Sequence, residues 1–374
     1  MKILHITNYM HPHIGGIEQT TRDIIDSLKD DEHRIICFNH EKGNRRDQVD
    51  GVDVFRCAVA LKVASQAVSF SFNRILKKEL KSMNPDLVIF HYPNPFEAHY
   101  LLKYLKKNHK TKLMIWWHLD ITRQKILGKL FEGQTERLLK RANKVIATSP
   151  NYLECSPFLS RYKAKCVVIP SCINEKRLKV SASIIKKSEL IRSRNEGKVI
   201  CFAIGRHVKY KGYEYLIKAS SFLDDKFKIY LAGEGVLTSK LKRLAKNDTK
   251  VEFLGRLSDD EMKAYMMSCD VYCFPSITKN EAFGLALAEA MYFAKPSVTF
   301  TIKGSGVNYV SINGVTGIEV ENGNSEKFAE AIQAFSHDPL KREQFGASAR
   351  ARVLDYFTLE KFEENLNILK RELV

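Results

Sequence analysis

Twice along this chain, short runs of Val, Ile and aromatic residues alternate with stretches of helical periodicity, and one polar, lysine-rich interval parts the two series. The first series reads KILHIT, HRIICFN, VDVFRC, DLVIFHY, KLMIWW, KVIATS and KCVVIPS, with helices predicted near residues 17–28, 71–83, 95–107 and 121–142. Its runs are apolar at successive rather than alternate positions, which is the pattern of parallel strands covered on both faces. Few architectures satisfy strands of that kind joined by helices, and the spacing predicts an α/β, doubly wound sheet. The second series, KVICFAIG, FKIYLAG, VEFLG, DVYCFPS, PSVTF and TGIEVE, repeats the plan before three C-terminal helical segments. Between the two, INEKRLKVSASIIKKSELIRSRNEG breaks the rhythm and is read as the linker. At 374 residues the chain exceeds one ordinary core, so two domains facing a cleft are expected. The expected boundaries are 1–180, 181–357 and a closing helix at 358–374.

Charge narrows the partners. The net charge is +17, and residues 62–179 hold 23 Lys and Arg against 8 Asp and Glu. Such a surface attracts anionic lipid headgroups, nucleic acid or phosphorylated ligands. No nucleic-acid motif or aromatic stacking platform accompanies the basic excess, so no nucleic-acid partner is expected. FNRILKKELKSM, LLKYLKKNHKTK and GKLFEGQTERLLKRANK interleave apolar residues with lysines and suit either an anionic membrane surface or an ordinary solvated helix face. No apolar run reaches the ~18 residues needed to span a bilayer, and MKILHITN lacks the features of a leader peptide. Eight cysteines without a CxxC pair read as reduced core residues of a cytoplasmic protein.

Two acidic residues stand out in EAFGLALAEA. Glu281 precedes a predicted helix and Glu289 interrupts its apolar surface, where a carboxylate is costly unless partnered. A structural reading gives Glu281 to the helix N-terminus and pairs Glu289 with a nearby lysine. A functional reading uses their span, about 12 Å if helical, with each carboxylate accepting hydrogen bonds from hydroxyls and the helix N-terminus between them aimed at a diphosphate. In AIGRHVKYKGYEYL, a strand ends at Gly205 and a loop carries Arg206 and Lys211 into a helix, a placement suited to clamping phosphates or to a plain solvated loop. Gly15 and Gly16 in HPHIGGIEQTT open another helix, where a backbone can approach an anion or simply turn. His118 and Asp120 end the strand in MIWWHLDI; His118 is a candidate to touch a reacting group, or a structural hydrogen-bonder. KGSGVNYV, residues 303–310, could supply backbone amides to the same pocket.

EAFGLALAEA resembles the E-x7-E element of retaining nucleotide-sugar glycosyltransferases of family 4, and GRHVKYKG resembles their G-R-x-x-x-x-K-G loop. HIGGIE, WWHLD, LAGEG, FLGRLSDDE, DVYCFPS and GVTGIEV extend the resemblance in order along essentially the whole chain. It implies the GT-B fold, two Rossmann-like domains with donor held mainly by the second and acceptor by the first. Arg206 and Lys211 would neutralise the diphosphate, Glu281 would contact donor-sugar hydroxyls, and Glu289 would hold the ribose. Gly205, Phe283, Gly284 and Leu285 would complete the donor contacts, Gly16 would approach the phosphate, and backbone at Gly255 and Arg256 would hold the base. His118 would sit beside the sugar, with Gly15 and Asp120 on the acceptor side; His118, Arg206, Lys211 and Glu281 form the implied catalytic set. The expected activity moves a hexose from a GDP- or UDP-sugar to a saccharide, lipid-linked acceptor in cell-surface polysaccharide biosynthesis, with the enzyme cytoplasmic and peripheral on the inner membrane face. Alternatives are a nucleotide-sugar-binding or epimerising relative, or a basic nucleic-acid-binding protein. No D-x-D is present, and no cofactor or essential metal is expected. PSCINEKRL departs from the family's Gly-Ile-Asp turn, placing Cys172 and Asn174 there, and GSGVNYV is similar to some mannosyl-type bacterial members.

Overall fold

The computed structural model describes residues 1–13, 15–63, 66–121 and 125–373. It divides into two compact units, Met1–Ser171 with Phe362–Val374, and Cys172–Lys361. The division therefore falls nine residues earlier than the expected 180, and Leu359–Leu373 is one helix whose first residues count with the second unit. Backbone bonding explains the earlier division: the Ile173 N–H donates to the Phe357 carbonyl at 2.8 Å, and the Leu359 N–H donates to Glu175 at 3.2 Å. The interval expected to be a linker contains the helix Ala182–Ser193, which buries Ile184 and Ile191 against the helix Asp259–Ser268.

In the first unit the strands are β1 (Lys2–Ile6), β2 (Glu32–Phe38), β3 (Arg45–Val49), β4 (Val52–Cys57), β5 (Leu61–Val63), β6 (Gln66–Val68), β7 (Leu87–Tyr92), β8 (Lys112–Trp117), β9 (Lys144–Ala147) and β10 (Cys166–Val168). The main sheet runs β10-β9-β8-β7-β1-β2-β4-β3, parallel except for β3, while β5 and β6 form a separate antiparallel pair. All six residues of β7 are buried, as a central parallel strand with both faces covered requires. β3 is charged and sits at the sheet edge, where charge discourages further strand pairing. Arg56 of β4 is 2% exposed, and its guanidinium donates to Asp47 and to the carbonyls of Met10 and His11, so a buried cation ties the loop after β1 to the edge strand.

Helix starts carry their own chemistry. Asn94 accepts from the N–H groups of Phe96 and Glu97, Pro95 occupies the first helical position, and the helix Pro95–Leu105 follows. The helix expected over 121–142 is observed as Lys125–Arg141; residues 122–124 lie outside the described residues. In the core Trp117 stacks on Tyr92 with centroids 3.9 Å apart, and Trp116 meets Phe362 of the closing stretch at 5.6 Å. Lys370 reaches Asp31 at 2.6 Å.

The second unit holds β11 (Val199–Ile204), β12 (Phe227–Ala232), β13 (Val251–Gly255), β14 (Val271–Phe274), β15 (Ser297–Phe300) and β16 (Gly317–Val320), all parallel in the order β13-β12-β11-β14-β15-β16. Ser258 and Glu261 form a reciprocal capping box for Asp259–Ser268, whose acidic first turn complements the helix dipole. All eight cysteines are free; six are buried, whereas Cys155 and Cys166 are half-buried rather than core residues.

Candidate functional site

Chain order reverses between β11 and β14 in the second unit, and ligands of open α/β sheets bind outside the carboxyl ends of strands at such a point. The loops leaving these two strands carry the basic and acidic candidates. Gly212, at φ 64°, lets them approach: a Cβ there would lie 2.0 Å from the Pro275 carbonyl oxygen. The Ile277 N–H also donates to the Tyr210 carbonyl at 2.9 Å. Across this junction Lys211 Nζ lies 2.5 Å from Glu281 Oε2, each side chain about 12% exposed. Lys211 sits over the Phe274 ring at 5.0 Å, and Ser276 donates to Glu281 at 3.1 Å. Gly205 (φ +154°) is glycine for a related reason, since a Cβ would fall 2.6 Å from the Tyr213 hydroxyl. Arg206 is exposed and, among the described residues, forms no ion pair. One cation is held by the protein's own carboxylate while its neighbour is unpaired.

The helix after β14 is Leu285–Tyr292, opened by Gly284 at φ 97°. Its first N–H groups have no intrahelical acceptors and face the side from which an anion is favoured. Leu285 is half-buried, but the Phe283 side chain is core, packed edge-on against Phe357 at 5.3 Å, so only its backbone can serve a ligand. Ser305 donates to the Glu281 carbonyl and the Gly306 N–H donates to that of Ala282, so the Gly-rich loop after β15 braces the acidic turn.

Glu281 lies outside the helix, so the helical rise does not measure its distance from Glu289, and the two carboxylates have different partners. Glu289 is paired with Arg177 rather than a local lysine. Burial pushes the Glu289 carboxyl up, Arg177 beside it draws it back, and Asp259 adds to the rise. Arg177 follows a turn in which Asn174 Oδ1 accepts from the Lys176 N–H at 3.1 Å. Arg177, Ser276 and Ser305 were not singled out from sequence; Arg177 is 112 residues from its partner, beyond any local periodicity. Gly255 ends β13 at φ 67°, and the neighbouring Arg256, 84% exposed, pairs with Glu234 at 3.2 Å. Among the described residues no three His, Cys, Asp or Glu side chains gather as a metal-holding group.

In the first unit the reversal falls between β1 and β7. Gly15 is extended and Gly16 begins the helix Gly16–Ser27; Ile14 lies outside the described residues. Glu18 sits across this helix start, 3.1 Å from His13, so a carboxylate stands where the dipole favours an anion. His118, 8% exposed, has Nε2 3.0 Å from His91 Nδ1, and His91 Nε2 lies 3.4 Å from Thr21 Oγ1. Burial lowers the His118 imidazole to about 3, so it is neutral near pH 7 and suited to hydrogen bonding rather than proton uptake. Asp120, expected on the acceptor side, is 2% exposed; its Oδ1 accepts from Trp117 at 3.1 Å and Ser156 at 2.7 Å, bracing the strand end.

The basic helices bury their apolar stripes. Phe72, Leu76, Leu80 and Met83 of Phe72–Met83, and Leu101 and Leu105 of Pro95–Leu105, face the core, leaving lysines outward. Any attraction of these two helix faces to a membrane is therefore electrostatic. The side chains of residues 128–130 in the third basic segment lie outside the described residues. No described helix is long and apolar enough to cross a membrane.

Residues 14–177 match the family model Glycosyltransferase Family 4, and residues 185–352 match Glycosyl transferases group 1. D-rhamnosyltransferase WbpZ of Pseudomonas aeruginosa is 28% identical over 364 residues, covering 96% of this chain and 92% of that one. O-antigen chain mannosyltransferase C of Escherichia coli is 25% identical over 367 residues, covering 96% and 95%. Among solved structures, HepE of Anabaena in complex with UDP and glucose aligns over 99% of both chains with a TM-score of 0.79 at 18% identity, a likeness of fold.

Proposed function

The chain belongs to the group 1, family 4 glycosyltransferases and has their GT-B fold, and from that premise we propose that it transfers a hexose from a UDP- or GDP-sugar to a saccharide acceptor with retention of anomeric configuration. That the chain is a hexosyltransferase follows from its family and its relatives. The observation that carries the donor reading is the junction after β11 and β14, where unpaired Arg206 neighbours Lys211 held against Glu281.

Charge development dictates the roles. Breaking the bond between sugar and diphosphate makes the sugar oxocarbenium-like and loads negative charge onto the diphosphate. Arg206 is available to that charge at once. Lys211 reaches it by leaving Glu281, whose carboxylate is then free to accept hydrogen bonds from donor-sugar hydroxyls. The N-terminal amides at Gly284 and Leu285 add dipoles aimed at the same anion, Glu289 accepts from the ribose, and backbone at Gly255 and Arg256 borders the base. Two cations and a helix start supply the countercharge, so no essential metal is assigned. His118, neutral and hydrogen-bonded, orients a sugar hydroxyl. No side chain is assigned as catalytic base, and the leaving phosphate takes the acceptor proton on the face from which it departs. An inverted anomer in the product would exclude that route.

The relatives named above, a rhamnosyltransferase and an O-antigen mannosyltransferase, support a role in cell-surface polysaccharide synthesis with a lipid-linked acceptor. The outward lysines support a cytoplasmic enzyme held at the inner membrane face. The test is thermal stabilisation by UDP, GDP, ADP and their sugars, for the wild type, Arg206→Ala and Glu289→Ala. A ligand at ~100 times its Kd adds about 2.7 kcal/mol. One nucleotide class should stabilise the wild type and lose effect in both variants; no shift with any nucleotide refutes the donor reading.

A further inference from the structure

The turn that carries Glu281 belongs to the loop 275–284, which no helix or strand organises. Its shape rests on individual hydrogen bonds, and two serines make bonds that reach Glu281 itself. Ser276 is 1% exposed and donates to Oε2 at 3.1 Å. Ser305 is fully buried and donates to the Glu281 carbonyl at 2.5 Å. The Val307 N–H donates to Ser305 Oγ at 3.2 Å, so one lone pair of that hydroxyl is occupied and its one proton is committed to Glu281. The loop that brings Ser305 lies flush against the turn. A Cβ on Gly306 would fall 2.1 Å from the Ala282 carbonyl oxygen, which accepts from the Gly306 N–H at 3.1 Å.

Lys211 and Ser276 both contact Oε2, whereas no hydrogen bond from a described residue reaches Oε1. The two contacts respond differently to a ligand. An ammonium on a flexible stem is drawn off by an arriving diphosphate, while a neutral hydroxyl buried in the loop is not. Once Lys211 leaves, a glutamate with no other contact would turn among its rotamers, and ordering it again would cost affinity for whatever it accepts from. With one carboxylate oxygen held by Ser276 and the backbone held by Ser305, Glu281 is ordered beforehand.

We propose that Ser276 and Ser305 are positioning residues for the transfer reaction: they hold the Glu281 carboxylate, with Oε1 open, for the hydroxyls of the donor sugar after Lys211 has gone to the diphosphate. The proposal rests on the donor reading given above and divides its labour. Lys211 serves the nucleoside diphosphate half of the donor, and the two serines serve its sugar half. Loss of either serine should therefore weaken the nucleotide sugar and spare the free nucleoside diphosphate. A loop brace without this role would change both together.

The test uses the full chain as wild type, Ser276→Ala, Ser305→Ala, Glu281→Ala and the two double variants that join each serine change to Glu281→Ala. Calorimetric titrations with UDP, GDP, UDP-glucose, UDP-galactose and GDP-mannose give, for each chain, the ratio of nucleotide-sugar affinity to that of the matching free diphosphate. Glu281→Ala should lower the ratio by about tenfold or more, and each serine change by about three- to tenfold with the free diphosphate held within about twofold. In the Glu281→Ala background either serine change should leave the ratio within about twofold, because no carboxylate remains to be aimed. The proposal is overturned if both serine variants keep the wild-type ratio, if they weaken free diphosphate as much as nucleotide sugar, or if their effects persist undiminished without Glu281. It is equally overturned if Ser276→Ala tightens free diphosphate as Glu281→Ala does, since Ser276 would then support the pairing with Lys211 alone. A wild type that binds no nucleotide removes the donor reading and this proposal with it. A ratio that falls with Glu281→Ala but with neither serine change keeps the donor reading and removes only the positioning role.

Discussion

Replacing Glu281 by alanine isolates what the Lys211–Glu281 pair contributes at the junction after β11 and β14. At 2.5 Å and an effective dielectric constant of ~20 the attraction is about 6–7 kcal/mol before desolvation is charged against it. Breaking a fully buried pair costs about 3–5 kcal/mol, and the 12% exposure of each partner lowers that to about 2 kcal/mol. For a unit of this size, the loss is about 4–8 °C in Tm. Binding should reverse the order. On the proposed function, a nucleoside diphosphate should recruit Lys211 away from Glu281 in the wild type but find it already released in the variant. The free diphosphate should therefore bind Glu281→Ala up to about 30-fold tighter, the same 2 kcal/mol returned. The intact nucleotide sugar should not gain, because its hydroxyls lose their acceptor. Calorimetric titration and denaturant unfolding with UDP and GDP read both effects. A variant as stable as wild type, or one that binds free diphosphate more weakly, refutes the competition between carboxylate and phosphate.

Three further outcomes are expected. Arg206→Ala should leave unfolding within about 0.5 kcal/mol of wild type, because the side chain is exposed and unpaired, yet weaken nucleoside diphosphate binding by about 10- to 100-fold in a calorimetric titration; unchanged affinity removes Arg206 from the donor site. Burial raises the folded-state titration of Glu289 above its ordinary value of 4.5, so its contribution to stability is full below that value and is lost as pH rises through the raised one. Glu289→Gln should flatten stability against pH in that window, and denaturant titrations showing an unaltered slope would falsify the assignment. Transfer activity should survive exhaustive chelation, and a loss restored by one divalent cation would assign the countercharge to a metal.

Alternation of apolar runs and helical segments was legible because parallel strands and their covering helices each impose a local period. Strand β3 was not: Arg45–Val49 is mostly polar, and its pairing depends on a sheet edge built by residues elsewhere. The helix Ala182–Ser193 was hidden by its lysines and serines, since burial of Ile184 and Ile191 depends on a partner helix some 70 residues on. At the site, spacing put Arg206, Lys211 and Glu281 in loops, and the fold brings Lys211 to Glu281. Spacing could not show that Glu289 pairs with Arg177, which tertiary packing sets, or that Asp120 Oδ1 accepts from Trp117 and Ser156.

The hydrogen-bonded imidazoles of the first unit have one direction. Thr21 gives its hydroxyl proton to the Ile17 carbonyl at 3.0 Å, the shorter of its two contacts, so toward His91 it can only accept. His91 is then protonated at Nε2 and bare at Nδ1, which obliges His118 to donate through Nε2. The relay ends with a lone pair on His118 Nδ1, set by a backbone carbonyl two side chains away. Any hydrogen-bond donor reaching that nitrogen would meet an acceptor whose orientation was decided when the helix Gly16–Ser27 formed, and substituting Thr21 by valine would unfix the tautomer of a ring that Thr21 never touches.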